Sequence, residues 1–117
     1  MSLEVTLNSL LGPLVDGRCY PDVLPDNPVF PLIVYQQVGG QAVEYLDQSM
    51  ADKDNARMQV WVWAKARLEA SNLAQQARAA IIGSVLPAKT LGAPVSTNDE
   101  AMKLYGARTD FSLWYAP

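Results

Sequence analysis

Residues 56–65 read ARMQVWVWAK, and the fold turns on this stretch. β-branched and aromatic residues dominate it, which predicts a β-strand. Side chains alternate along a strand. Met58, Val60, Val62 and Ala64 therefore share one face, and Trp61 and Trp63 share the other with Arg57, Gln59 and Lys65. A strand wet on one side has no use for two tryptophans there. Burying each would remove roughly 150–250 Å² from water, an upper limit of about 4–6 kcal/mol at ~25 cal/mol/Å². The stretch predicts a central strand with a helix on its Met58/Val60/Val62 face. The Trp61/Trp63 face is expected to meet something else, either the chain's own N-terminal segment or another subunit.

A helix able to cover the first face follows at once. Between residues 66 and 83, Ala66, Ala70, Leu73, Ala74, Ala77, Ala80 and Ile81 recur at i, i+3, i+4 spacing. Alanine gives this segment high helix propensity and a thin contact stripe, which permits close approach to a sheet. Gly83 and Pro87 end it. A second, shorter amphipathic helix is predicted at the N-terminus from Leu3, Leu7, Leu10, Leu11 and Leu14, with Ser2 as its N-cap and Gly12-Pro13 as its stop.

The remaining elements are shorter. Residues 29–38, VFPLIVYQQV, read as a strand with Pro31 near its start, and Gly39-Gly40 as a turn into a hairpin partner from 41 or 42 to about 48. Residues 16–28, DGRCYPDVLPDNP, read as an extended surface connection, and 87–94 as another. Residues 95–97 are a possible short strand. Residues 102–107 fit a strand or a helical turn, with Gly106 marking a bulge. Residues 109–115, TDFSLWY, read as a final strand that again sets a tryptophan, Trp114, opposite the main apolar set. The fold class expected is α+β: a mostly antiparallel sheet of four to five strands, one long helix on a face, and a short N-terminal helix, in one domain spanning 1–117.

Composition narrows the function. Half of the 117 residues are hydrophobic and 18% are charged, as in a globular chain. A net charge of −3 argues against broad nucleic-acid binding. The N-terminus lacks a basic n-region, so a signal peptide is not expected, and no apolar run reaches the ~20 residues of a membrane helix. A soluble protein made inside the cell is the expectation. The single cysteine, Cys19, cannot form an intramolecular disulfide and reads as an ordinary small residue. There is no histidine, which removes the commonest general base and the usual transition-metal ligand. Asp47, Asp52 and Asp54 lack the spacing of a calcium loop, and Gly39-Gly40 lacks a phosphate-loop context. No catalytic residue, metal site or cofactor is expected.

Four ordered segments together resemble the phage tail-completion family, also described as tail-to-head joining or tail-terminator proteins. They are GRCYPDVLP at 17–25, FPLIVYQQVGG at 30–40, ARMQVWVWAKARLEASNLAQQARAAI at 56–81 and RTDFSLWY at 108–115. The resemblance implies a non-enzymatic virion protein, made in the bacterial cytoplasm, that assembles into a ring with six copies the expected size. Such a ring sits at the head-proximal end of the tail tube, stops tube growth and joins the tail to the head connector. DNA passes through its lumen unread. Its partners would be its own copies, the tail tube protein and the connector or adaptor protein, with no membrane. Two expectations follow for residues. The ring contacts fall around Tyr35, Trp61, Trp63 and Trp114, where aromatics are enriched on a face that would otherwise be wet. The loop at 49–55, with Met50, Asp52, Lys53, Asp54 and Asn55, touches the tail tube. The alternatives are a head–tail connector adaptor, or a small α+β ligand-binding module, which an enclosed apolar pocket with convergent polar groups would favour.

Overall fold

The long helix and the tryptophan strand are joined by two residues, and that junction sets the architecture. In a computed structural model that describes residues 2–42 and 53–116, β3 (Asp54–Ala64) runs almost directly into α2 (Arg67–Ile82). The helix folds back and packs Ala70, Leu73, Ala74, Ala77 and Ile81 on the face that carries Met58, Val60, Val62 and Ala64. Glu69 in the first turn suits the positive end of the helix dipole. Ser84 closes the other end, its hydroxyl donating to the Ile81 carbonyl at 2.6 Å.

α1 (Leu3–Leu11) begins where Ser2 caps it, the Ser2 hydroxyl accepting from the Val5 amide at 3.2 Å. A 3-10 turn, Gly12–Val15, follows with Pro13 inside it. Leu3, Leu7, Leu11 and Val15 join the same core as the buried face of α2, with Ile33, Met58 and Val60. The N-terminal segment therefore completes the helix layer and leaves the tryptophan face alone.

The sheet has the order β1-β2-β3-β6-β4, with β5 also on β6. Its spine is β3 against β6 (Leu104–Tyr115), antiparallel over eleven registers from Asp54↔Tyr115 to Ala64↔Tyr105. β2 (Leu32–Gln37) lies antiparallel on the other side of β3, from Leu32↔Trp63 to Gln37↔Met58. β1 (Cys19–Pro21) is parallel to β2 at that edge. β4 (Ala88–Thr90) and β5 (Val95–Asp99) share the far edge of β6 end to end, both antiparallel. Four of the five pairings are antiparallel, and the α+β class stands with six strands rather than four or five.

Several local expectations change. The partner of β2 is β3, which takes the edge that a hairpin strand would need; most of that strand, residues 43–48, lies outside the described residues. The connection at 16–28 contains β1, because a three-residue edge strand tolerates the proline at its end. Gly106 sits in regular pairing with Trp63, not in a bulge. Asp54 and Asn55 open β3 and do not belong to the preceding loop; Lys53 is exposed just before them, and Met50 and Asp52 lie outside the described residues.

Two positions tie the chain down. Gly40 has φ +146°, and a Cβ there would run into the Asn55 carbonyl. Asn55 is buried and nearly saturated with hydrogen bonds. Its carboxamide oxygen accepts from the Gln41 amide at 3.0 Å, and its nitrogen donates to the Ser112 hydroxyl at 2.9 Å and the Leu113 carbonyl at 3.2 Å. The two residues close the base of the segment between β2 and β3. Cys19 is buried in the helix-side core, and burial pushes its thiol up to about 11.

Gly40→Ala is expected to cost about 1–3 kcal/mol by chemical denaturation, because the backbone conformation and the clash both oppose a Cβ. Alkylation of Cys19 at pH 8 should proceed only as fast as the protein unfolds. Its thiol is raised from 9.0 to about 11, so the stability it contributes is complete below pH 9 and is lost as the pH rises through 11. Unfolding midpoints measured between pH 8 and 11 check the sign: they should fall only above pH 9.

Candidate functional site

The second face of the sheet carries no helix among the described residues, and register defines what it displays. One cross-strand row is Tyr20–Val34–Trp61–Arg108–Val95, and the next is Leu32–Trp63–Gly106–Thr97. Leu32, Val34 and Leu104 are buried on this side although no layer among the described residues lies above them. The tryptophans are their cover. Trp61 and Trp63 themselves are half-buried, with ring centroids 6.1 Å apart and planes within 1° of parallel. Offset parallel stacking of this kind adds about 0.5–1.5 kcal/mol beyond the area buried.

Gly106 explains how the stack lies so flat. A Cβ at 106 would come within 2.8 Å of Cε3 and Cζ3 of Trp63, so the indole rests on bare backbone. The other side of the stack is closed by Arg108, whose guanidinium carbon is 5.5 Å from the Trp61 ring centroid. Arg67, at the start of α2, reaches around the sheet end. It donates to the Gly106 carbonyl at 2.8 Å and the Thr97 carbonyl at 2.6 Å, and lies 5.3 Å from the Tyr105 ring centroid. The β5–β6 hairpin is thereby fixed to the helix layer at the point where Trp63 needs it.

Beyond the stack the face turns ionic. Asp110 accepts from Nε and an NH2 of Arg57 at 3.2 and 2.8 Å on a single oxygen, Oδ2. Its other oxygen, Oδ1, is 3.7 Å from Nε of Arg108, too far for a hydrogen bond. Both of these atoms are buried without a partner among the described residues. They border a recess of about 150 Å³ lined also by Leu91, Gly92, Ala93 and Val95.

The aromatic residues expected at an interface are thus divided. Trp61 and Trp63 come together. Trp114 shares their face, but it pairs with Asn55, six residues along β3 from Trp61, about 20 Å at the rise of a strand. Tyr35 drops out: it points into the helix-side core at 3% exposure, and its hydroxyl lies 3.5 Å from the Glu4 carbonyl. Burial raises its phenol above the ordinary value. The strand 29–38 alternates Leu32 and Val34 with Ile33 and Tyr35, so both faces are apolar and alternation alone does not say which is open. Arg57, Arg108 and Asp110 were missed as a group. Their signal is the spacing of two between Arg108 and Asp110, which sets both on the side of Trp114.

Gly106→Ala is expected to lift Trp63 off the backbone. Near-ultraviolet circular dichroism of the indole pair should change, and stability should fall by about 1–3 kcal/mol. An unaltered spectrum and stability would show that the ring does not rest on this glycine.

Among solved structures, one similar fold is "Virion of native gene transfer agent (GTA) particle", with a TM-score of 0.55 and 14% identity over 99% of this chain and 96% of that one. No curated protein matches. A family model described as "Tail completion protein gp17" matches residues 5–116. With nearly its whole length matched, this chain belongs to the tail completion protein gp17 family, structural proteins of phage tail morphogenesis.

Proposed function

We propose that the protein is a non-enzymatic virion component that closes the head-proximal end of the tail tube as a ring and joins the tail to the head connector. The observation that carries this reading is the helix-free face. A stack of two half-buried tryptophans lies there over Leu32 and Val34 in a chain of tail-completion descent. Stacked aromatics are what subunit interfaces enrich, since they bring large area at little cost in side-chain freedom. Ring contacts around Trp61 and Trp63, with Trp114 at the far end of the same face, fit that requirement.

A net charge of −3 suits a conduit that lets DNA pass without gripping it. No helix among the described residues is long and apolar enough to cross a membrane. The segment anchored by Gly40 and Asn55, which includes Met50, Asp52, Lys53 and Asp54, is the proposed contact with the tail tube. Its two ends are held together where the Gln41 amide donates to the Asn55 side chain.

Light scattering on Trp61→Ala tests the ring. Assembly mass should drop toward that of one chain, while the variant loses only about 1–2 kcal/mol of stability, the share of a half-buried side chain. Intact assembly with a large loss of thermal stability would make Trp61 a core residue and nothing more. Labelled protein in electron micrographs of purified tails should mark the end that meets the head.

A further inference from the structure

The two edges of the sheet differ in chemistry, and the difference is complementary. Among the described residues no further strand pairs with β1 at one edge, or with β4 and β5 at the other. Residues 22–31, which lead from β1 to β2, contain two acids and no cation. Their Asp22 and Asp26 are exposed and enter no ion pair among the described residues. Val23 and Val29 in the same segment are 73% and 60% exposed, and Leu24 is exposed too. A short segment that offers three apolar side chains and two carboxylates to water has the make-up of an interface peptide.

The opposite edge offers the counterpart. Its recess joins two guanidiniums, Arg57 and Arg108, to one carboxylate, Asp110, which leaves one positive charge in excess. Arg57 holds only Oδ2 of Asp110, and Nε of Arg108 faces Oδ1 at 3.7 Å, an ion pair without a hydrogen bond, so the group as a whole keeps one positive charge in excess. A second carboxylate brought to the two guanidiniums would balance that charge. Leu91 and Val95, both exposed, border the same recess.

We propose that residues 22–29 of one copy seat in the Arg108 recess of the next. Val23, Leu24 and Val29 cover Leu91 and Val95, and an aspartate of the segment offsets the surplus positive charge of the recess. The donor and acceptor surfaces lie on opposite edges of one sheet, so the contact is head-to-tail and propagates until it closes. It also continues onto the tryptophan face, since Arg108 is the residue that closes the Trp61 stack. This inference rests on the ring reading and specifies which two surfaces meet in it.

The test is chemical cross-linking of the purified full chain with a short bismaleimide, on the double variant Val23→Cys and Val95→Cys. Both positions are exposed and Cys19 is buried, so the new thiols alone should react. The double variant should give a ladder of dimers, trimers and larger species, and each single variant only background. In parallel, Asp22→Asn with Asp26→Asn should weaken association about tenfold by light scattering, with circular dichroism unchanged. Asparagine keeps the left-handed backbone that Asp22 adopts at φ 67°. Assemblies that form without the 23–95 cross-link overturn this contact and leave the ring standing. Cross-linked dimers from either single variant overturn its head-to-tail sense. One chain at every concentration, with no cross-link, overturns both the contact and the ring.

Discussion

Everything in this fold leans on the eleven-register pairing of β3 with β6. Two strands of 11 and 12 residues laid side by side make a ribbon of about 36 Å at the rise of a strand. A ribbon that long cannot stand alone in water and must be covered. The chain covers one side completely. α2 follows β3 after two residues and has nowhere to pack but back along it, and its alanine stripe lets the helix come close. α1 fills the remaining width over β2, where Leu3, Leu7 and Leu11 meet Ile33 and Tyr35. Among the described residues, the other side receives only its own tryptophans. The open face is thus a consequence of connectivity: both helices are spent on the same layer.

The open face is held in place from the covered one. Arg67 belongs to the helix layer, yet it fixes the carbonyls of Gly106 and Thr97. Gly106 in turn is the floor on which Trp63 lies, and Trp61 and Arg108 stack outward from there. A chain of contacts therefore runs from the start of α2 to the outermost guanidinium. At the other end of the ribbon Asn55 fastens Gln41, Ser112 and Leu113 together. Arg67 and Asn55 pin the two ends of the exposed face with hydrogen bonds that are made, while buried atoms of Thr97, Arg108 and Asp110 on the same face keep unmade ones. Unsatisfied buried atoms in a native structure call for an explanation, and here they sit where a neighbouring surface would be met.

Much of this was legible in residue order. Period-two alternation gave β3 its two faces, and 3.6-residue periodicity gave α1 and α2 nearly to the residue, with Ser2 as cap. Those signals are local and strong. What stayed hidden was set by pairing. β1 and β4 are three-residue strands in proline-flanked sequence, and they exist only because β2 and β6 offer them an edge. Gly106 looks like a bulge until its cross-strand neighbour is known to be Trp63. Tyr35 and Trp61 look alike as aromatics in apolar strands. The register Val34↔Trp61 puts Tyr35 on the opposite side, with the helices. In the Arg57–Asp110–Arg108 group the spacing of two puts Arg108 and Asp110 on one face, but Arg57 lies 53 residues before Asp110, and only the strand pairing brings it there.

In the proposed ring, the open face has to reconcile two demands that usually conflict. Before assembly it must not aggregate, and on assembly it must bind without a large entropic cost. Stacking answers the first, because each indole hides part of its neighbour and both hide Leu32 and Val34 beneath. A guanidinium laid over the outer ring places charge where bare aromatic surface would otherwise invite chance contacts. Stacking answers the second as well. The rings are already fixed against Gly106 and against each other, so little rotamer freedom remains to be lost when a partner arrives. A flexible apolar patch of the same area would fail on both counts, staying stickier as a monomer and losing more order on docking. That is the physical reason to assign association to this face and not to the exposed but isolated Leu68 or Val85, which have neither a stack to hold them nor an unmet polar group beside them.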